Sequence, residues 1–236
     1  MRAREPSDSS RADEIGGLLR RRFEDRPMSD VLVTGYEPFG DFEINSARRL
    51  ALALDGTTIG DAAVAGEELP VAFDRAGERL EEYVEAYDPE IVCGLGLAAG
   101  RHTLSLERVG INRRDTSASG TPDNDDRTVV DEPVAVDGPN AYFATLPLRE
   151  MKAAMREAGV PAALSTDAGT HLCNDLLYTG RHLAETTAHE FRTGFVHVPF
   201  SHAQAAARDE GEPSMALETM REGLIAGLAV ALDAGR

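Results

Sequence analysis

The sequence predicts an α/β fold, a single-domain three-layer α/β/α sandwich around a mostly parallel, twisted sheet of the phosphorylase/hydrolase-like kind. Three observations carry this. The runs DVLVTG (30–35), EIVCGLG (90–96) and GFVHVPF (194–200) have the near-continuous apolar text of strands buried on both faces. Segments with helical spacing lie between them, and strands alternating with helices build parallel sheets covered on both sides. A chain of 236 residues, 42% of them hydrophobic, is long enough for one substantial core.

In chain order, DVLVTG is the first strand, and Ala47, Leu50, Ala51 and Leu54 then fall on one helical face. AVAGEEL (63–69) reads as a second strand. Phe73, Ala76, Leu80, Val84 and Tyr87 have helix spacing, and the Asp88-Pro89 pair ends that helix. EIVCGLG is the clearest core strand. A polar segment, 112–140, is dense in Asp, Asn, Pro, Gly and Thr, and loops of that length are usually functional. Leu148, Met151 and Met155 mark a helix closed by Gly159, before the short strand AALS (162–165). Leu172, Leu176, Leu183 and Ala184 form the stripe of the next helix. GFVHVPF follows, and Leu217, Met220, Leu224, Leu228 and Ala231 face the core from the last helix.

Charge and composition exclude several classes. The formal net charge of −17 opposes nucleic-acid binding, which needs a basic face. No window has the apolar length of a membrane span, and no basic-then-apolar signal opens the chain. The expected compartment is the cytoplasm, where two cysteines stay reduced and a Cys93–Cys173 bridge is disfavoured. Lys152 is the only lysine, and such an acidic, lysine-poor surface resembles that of halophilic-type proteins working in concentrated salt. Residues 1–27 carry seven arginines against six acids with little periodicity. They read as a disordered leader, or as an extension ahead of a true start at Met28, with the folded domain spanning 28–236.

Few polar residues stand where open α/β sheets gather ligands, at the carboxyl ends of strands. Cys173, in THLCNDLL, follows the turn-like DAGT and opens a helix. If Thr170 caps that helix, the thiol falls in the first turn, near free N–H groups and the positive dipole end. Such placement favours a nucleophilic thiolate, although most free cysteines are buried fillers. Cys93, inside a core strand, reads as such a filler. His197 interrupts an apolar strand and must find partners for its ring nitrogens, structural or catalytic. Glu107, in SLERV, reads by itself as a surface carboxylate paired with Arg108. A zinc site built from His171, Cys173 and His197 lacks a fourth ligand and a recognised spacing. GLGLAAG (94–100) matches neither a phosphate loop nor the dinucleotide fingerprint.

Together, VTGYEPFG (33–40), SLERVGIN (105–112), TPDN (121–124), DAGTHLCN (167–174) and FVHVPF (195–200) resemble, in order and approximate spacing, the motifs of the pyroglutamyl peptidase I (pyrrolidone-carboxylate peptidase) family of cysteine peptidases. The resemblance runs from about Val31 to the final helix. It implies a Cys–His–Glu triad of Cys173, His197 and Glu107 that removes N-terminal pyroglutamate from peptides with no cofactor and no metal. It also implies assembly as a homo-oligomer, often a tetramer. The family's two ring-sandwiching aromatics fall on Tyr36 and Phe39, which read equally well as core anchors. Leu172 and Leu97 complete the expected lining of the substrate pocket. Leu97 departs from the glutamine that many bacterial members carry in a GQAGGR-like run. The segment before Pro122 is longer than in those members, leaving Arg113 or Arg114 as replacements for a pocket arginine. The alternatives are an amidase for another small lactam or acyl amide, and a catalytically weak protein that only binds such a ligand.

Overall fold

Buried strands at the centre and one apolar face on each helix set the architecture. The computed structural model describes residues 28–208 and 211–235, so the expected leader at 1–27 lies outside the described residues. The strands are β1 (Val31–Tyr36), β2 (Thr58–Ile59), β3 (Ala62–Leu69), β4 (Ile91–Leu97), β5 (Leu104–Glu107), β6 (Val109–Ile111), β7 (Ala141–Phe143), β8 (Ala162–Ser165), β9 (Arg192–Val198), β10 (Phe200–Ser201) and β11 (Ser214–Met215). The helices are α1 (Ser46–Leu54), α2 (Arg75–Tyr87), α3 (Leu148–Glu157), α4 (Leu172–Thr186), α5 (His202–Ala206) and α6 (Leu217–Asp233).

Seven strands form one sheet in the order β2-β3-β1-β4-β9-β5-β8. β3, β1, β4 and β9 run parallel, and every residue of β1 and β4 is buried, as their apolar text requires. β2 is antiparallel to β3, and β5 is antiparallel to β9. Helices α1, α3 and α6 pack on one face, against Val31, Val33, Cys93, Leu95, Val196 and Val198. Helices α2 and α4 pack on the other, against Leu32, Val92 and Phe195. This is the expected three-layer sandwich. None of the helices among the described residues is long and apolar enough to cross a membrane.

Two details differ from the sequence reading. Phe73 precedes α2 because the Asp123 carboxylate accepts its N–H at 2.9 Å and Asp74, the N-cap, turns to a φ of +68°. Residues 112–140 link the short antiparallel pair β6–β7 and are strapped down along their length. Arg114 and Glu132 exchange both backbone hydrogen bonds (2.7 and 3.1 Å), and Thr116 N–H donates to Val129 C=O at 2.8 Å. The two cysteines are free. Cys93 belongs to the core cluster opposite that of Cys173, where burial alone pushes its thiol up to about 12.

Candidate active site

The sheet register brings the first two site residues together. β5 lies antiparallel to β9 with Ser105 opposite His197 and Glu107 opposite Phe195. Directly opposed residues share a face, and a diagonal neighbour two residues away stays within reach of long side chains. Glu107 uses that diagonal, and its Oε1 lies 2.8 Å from His197 Nδ1. Both side chains are buried, Glu107 completely. The Glu107 of the structure is therefore no surface carboxylate. Its cationic partner is Arg101, 2.8 Å from Oε1, whereas exposed Arg108 directs only backbone groups toward Ser165 and Ala144.

The thiol arrives from the helix layer. His171 is the N-cap of α4, which puts Cys173 in the first turn, above strands β4 and β9. Thr170 is not the cap, because its hydroxyl donates to Asp115 C=O at 2.7 Å and the Asp115 N–H returns a bond to Thr170 C=O at 2.9 Å. The first-turn placement survives this correction. The first-turn N–H groups of a helix lack intrahelical partners and point beyond its start. Gly94 and Gly96 of β4 make the close approach possible, since Gly96 stands in register with His197 and beneath the sulfur.

The electrostatics follow from the geometry. Burial opposes a charge on His197, but the Cys173 sulfur, within hydrogen-bonding reach, outweighs it together with Glu107. The imidazole is raised to about 9. Burial likewise opposes the Glu107 carboxylate, and hydrogen bonds from His197 and Arg101, with the Ser165 hydroxyl nearby, overcome it, holding Glu107 below its ordinary value. The Phe195 ring packs edge-on against His197 at 5.0 Å and fixes its plane.

A small cleft of about 40 Å³ opens beside the sulfur, lined by Tyr36, Phe39, Asn45, Val71, Leu97, His171, Leu172 and Cys173. All four expected lining residues thus face one space. Tyr36 is both wall and anchor: it is buried, and its hydroxyl donates to Leu172 C=O at 2.6 Å. Burial, with the electrostatic influence of nearby Cys173 and Asp175, pushes that phenol up and keeps it a donor. Phe39 is only half-buried and leans on Phe42 at 5.3 Å. Asn45 is spent on Ala47 N–H and Glu37 C=O. His171 reaches Thr121 C=O at 3.1 Å, and its burial lowers the imidazole and keeps it neutral. Neither arginine considered for the pocket lines it. Arg113 points outward to Asp131, and Arg114 is buried between Asp175 (2.6 Å) and Asp74.

Several functional contacts were not legible as such. Asn174 clamps residues 111–113 to α4, accepting from Ile111 N–H (2.8 Å) and donating to the carbonyls of Ile111 and Arg113 (2.9 Å each). Asn112 closes the base of the 112–140 segment on Ala135 and Gly138. The only signal was that both asparagines sit inside motif strings. Arg101 ends the run that resembles the family's GQAGGR-like string, but nothing in that string ties it to Glu107. Among the described residues, no three histidines, cysteines or acids group as a metal site.

The family model for pyroglutamyl peptidase matches residues 29–234. The pyrrolidone-carboxylate peptidase of Pyrococcus furiosus is 40% identical over 206 residues, 86% of this chain and 98% of that protein. The corresponding protein of Cupriavidus taiwanensis is 43% identical over 207 residues, 87% of this chain and 94% of that one. A crystal structure of the Pyrococcus furiosus pyrrolidone carboxyl peptidase superimposes with a TM-score of 0.82 at 40% identity, covering 86% of this chain and 98% of the other. The chain belongs to the pyroglutamyl peptidase family of cysteine peptidases.

Proposed function

We propose that this protein removes N-terminal pyroglutamate from peptides, with Cys173 as nucleophile, His197 as acid–base and Glu107 as the carboxylate that orients the imidazole. The observation that carries the reading is the unbroken line from Glu107 through His197 to Cys173, ending at the wall of the apolar cleft. The sulfur attacks the carbonyl carbon joining the lactam residue to the next amino acid. N–H groups at the start of α4 hold the resulting oxyanion. As the C–N bond breaks, the imidazolium gives its proton to the departing amine, leaving a thioester on Cys173. Water, deprotonated by His197, then hydrolyses the thioester and releases pyroglutamate. Glu107 fixes the Nδ1–H tautomer and balances the imidazolium throughout.

The pocket suits that substrate. Apart from Cys173 itself, its lining bears no charged side chain, since Asn45 is an amide and His171 is held neutral. A lactam is neutral and flat, whereas an ordinary peptide would bring an unpaired ammonium into an apolar cleft, at a cost of several kcal/mol. Tyr36 and Phe39 offer ring faces, and Leu97 and Leu172 offer aliphatic ones. The two free thiols suit a reducing compartment, in keeping with a cytoplasmic protein. Exposed Phe143 and Ile111 on the β6–β7 pair favour self-association, in keeping with a homo-oligomer.

A chromogenic pyroglutamyl amide, assayed in high salt with and without iodoacetamide, tests the reading. Turnover that iodoacetamide abolishes is expected. Turnover only of other acyl amides, or ligand binding without turnover, would replace it with an amidase or a simple binding protein.

A further inference from the structure

We propose that Arg101 is a positioning residue for this reaction, acting through Glu107: it holds the carboxylate against His197 and ties it to the turn that delivers Cys173. The inference rests on the catalytic roles proposed above.

Glu107 has no exposure to water, and a buried carboxylate needs more than one partner to stay ionised. Its Oε1 takes both available cations, His197 Nδ1 and an Arg101 Nη, each at 2.8 Å. Among the described residues, Oε2 finds no hydrogen-bond partner at ordinary distance, although Ser165 stands opposite Glu107 in β8. The polar groups facing this carboxylate are therefore His197 from β9, Ser165 from β8 and Arg101 from the β4–β5 turn. Cys173 of α4 faces the imidazole from its other side. During catalysis the imidazole gives its proton away, and Arg101 is then the one cation left beside Glu107.

The second Nη of Arg101 donates to Asp167 C=O at 3.1 Å. Asp167 starts the turn through Gly169, at a φ of +76°, into His171 and the first turn of α4. One planar guanidinium thus bridges the carboxylate on the sheet and the loop that sets the sulfur. A lysine carries the charge but lacks that fork. Arg101 keeps about a third of its side chain in water, so its own desolvation is partial.

The test compares wild type with Arg101→Gln and Arg101→Lys. It uses two readouts: kcat/KM against pH, and the pH dependence of iodoacetamide alkylation mapped to Cys173. Fully buried Cys93 does not compete for the reagent. Without the guanidinium, Glu107 takes up a proton more readily. The acid limb of both profiles in Arg101→Gln should therefore move up by about one pH unit or more. Its kcat should fall about 10- to 100-fold with little change in KM. Arg101→Lys should restore the acid limb but not the full rate. Superimposable acid limbs in Arg101→Gln, or a wild-type rate in Arg101→Lys, would overturn the proposal. If Arg101→Gln cannot be isolated folded, the lysine variant still decides it through rate and acid limb. The alkylation profile needs no turnover, so it separates failure of this inference from failure of the proposed peptidase activity.

Discussion

A Cβ added at Gly96 would lie 2.7 Å from the Cys173 sulfur and equally close to the Phe195 ring. The glycine is thus a requirement of the sulfur's position, set on the floor strand in register with His197. Gly96→Ala should lower kcat/KM by at least about 10²-fold, because an ångström of displacement at the nucleophile is costly. Thermal unfolding would show the variant still folded; near-normal kinetics would mean the sulfur is not where its neighbours require it. His197 carries a second prediction. Its native value of about 9 exceeds the unfolded 6.5, so its contribution to stability is complete below about 6.5 and lost as pH rises through 9. In the proposed mechanism the same loss removes the proton destined for the leaving amine. Urea midpoints should therefore fall between these pH values more in wild type than in His197→Gln, and kcat/KM should decline near pH 9.

Among the elements, α4 and the segment 112–140 are mutually dependent. Asn174 is buried, follows Cys173 in the chain and makes three hydrogen bonds to residues 111–113. Asn174→Ala would strand those backbone groups, at about 1–3 kcal/mol for each left unpaired. Urea denaturation should show a loss of about 2–4 kcal/mol; an unchanged midpoint would mean the clamp is replaceable by water. The contrast between elements also explains what the sequence revealed. α1, α3, α4 and α6 were legible because each shows one apolar face at helical spacing, and β1, β4 and β9 because they are buried on both faces. β5 was not, since LSLE is four residues long and its antiparallel place between β9 and β8 is a tertiary choice. That choice buries Glu107, which beside Arg108 in the sequence looks solvated. Thr170 failed as a cap for a related reason: hydroxyl bonding to a distant loop cannot be read from local spacing. Cys173, His197, Glu107 and the cleft residues were named through motif order, while the contacts of Arg101, Asn112 and Asn174 are ones that no spacing records.

At the scale of the whole molecule, 41 acidic side chains against 24 basic ones leave a self-repelling surface. The ion pairs that bind its loops, such as Arg75–Asp125 at 2.7 Å, are largely exposed and each contributes little. Salt shortens the reach of the repulsion to about 3 Å at 1 M, so net stability should rise with ionic strength. Melting temperature and activity should both increase between low-salt buffer and about 2 M KCl; a flat or falling response would show that the charge is balanced locally. The central claim is chemical, and it concerns the bond formed at Cys173. Rapid acid quench of enzyme turning over a pyroglutamyl substrate, followed by mass mapping, should find a pyroglutamyl adduct on the peptide containing Cys173. That adduct should be absent from the Cys93 peptide and from Cys173→Ala. Turnover by Cys173→Ala, or an adduct on any other residue, would contradict the account.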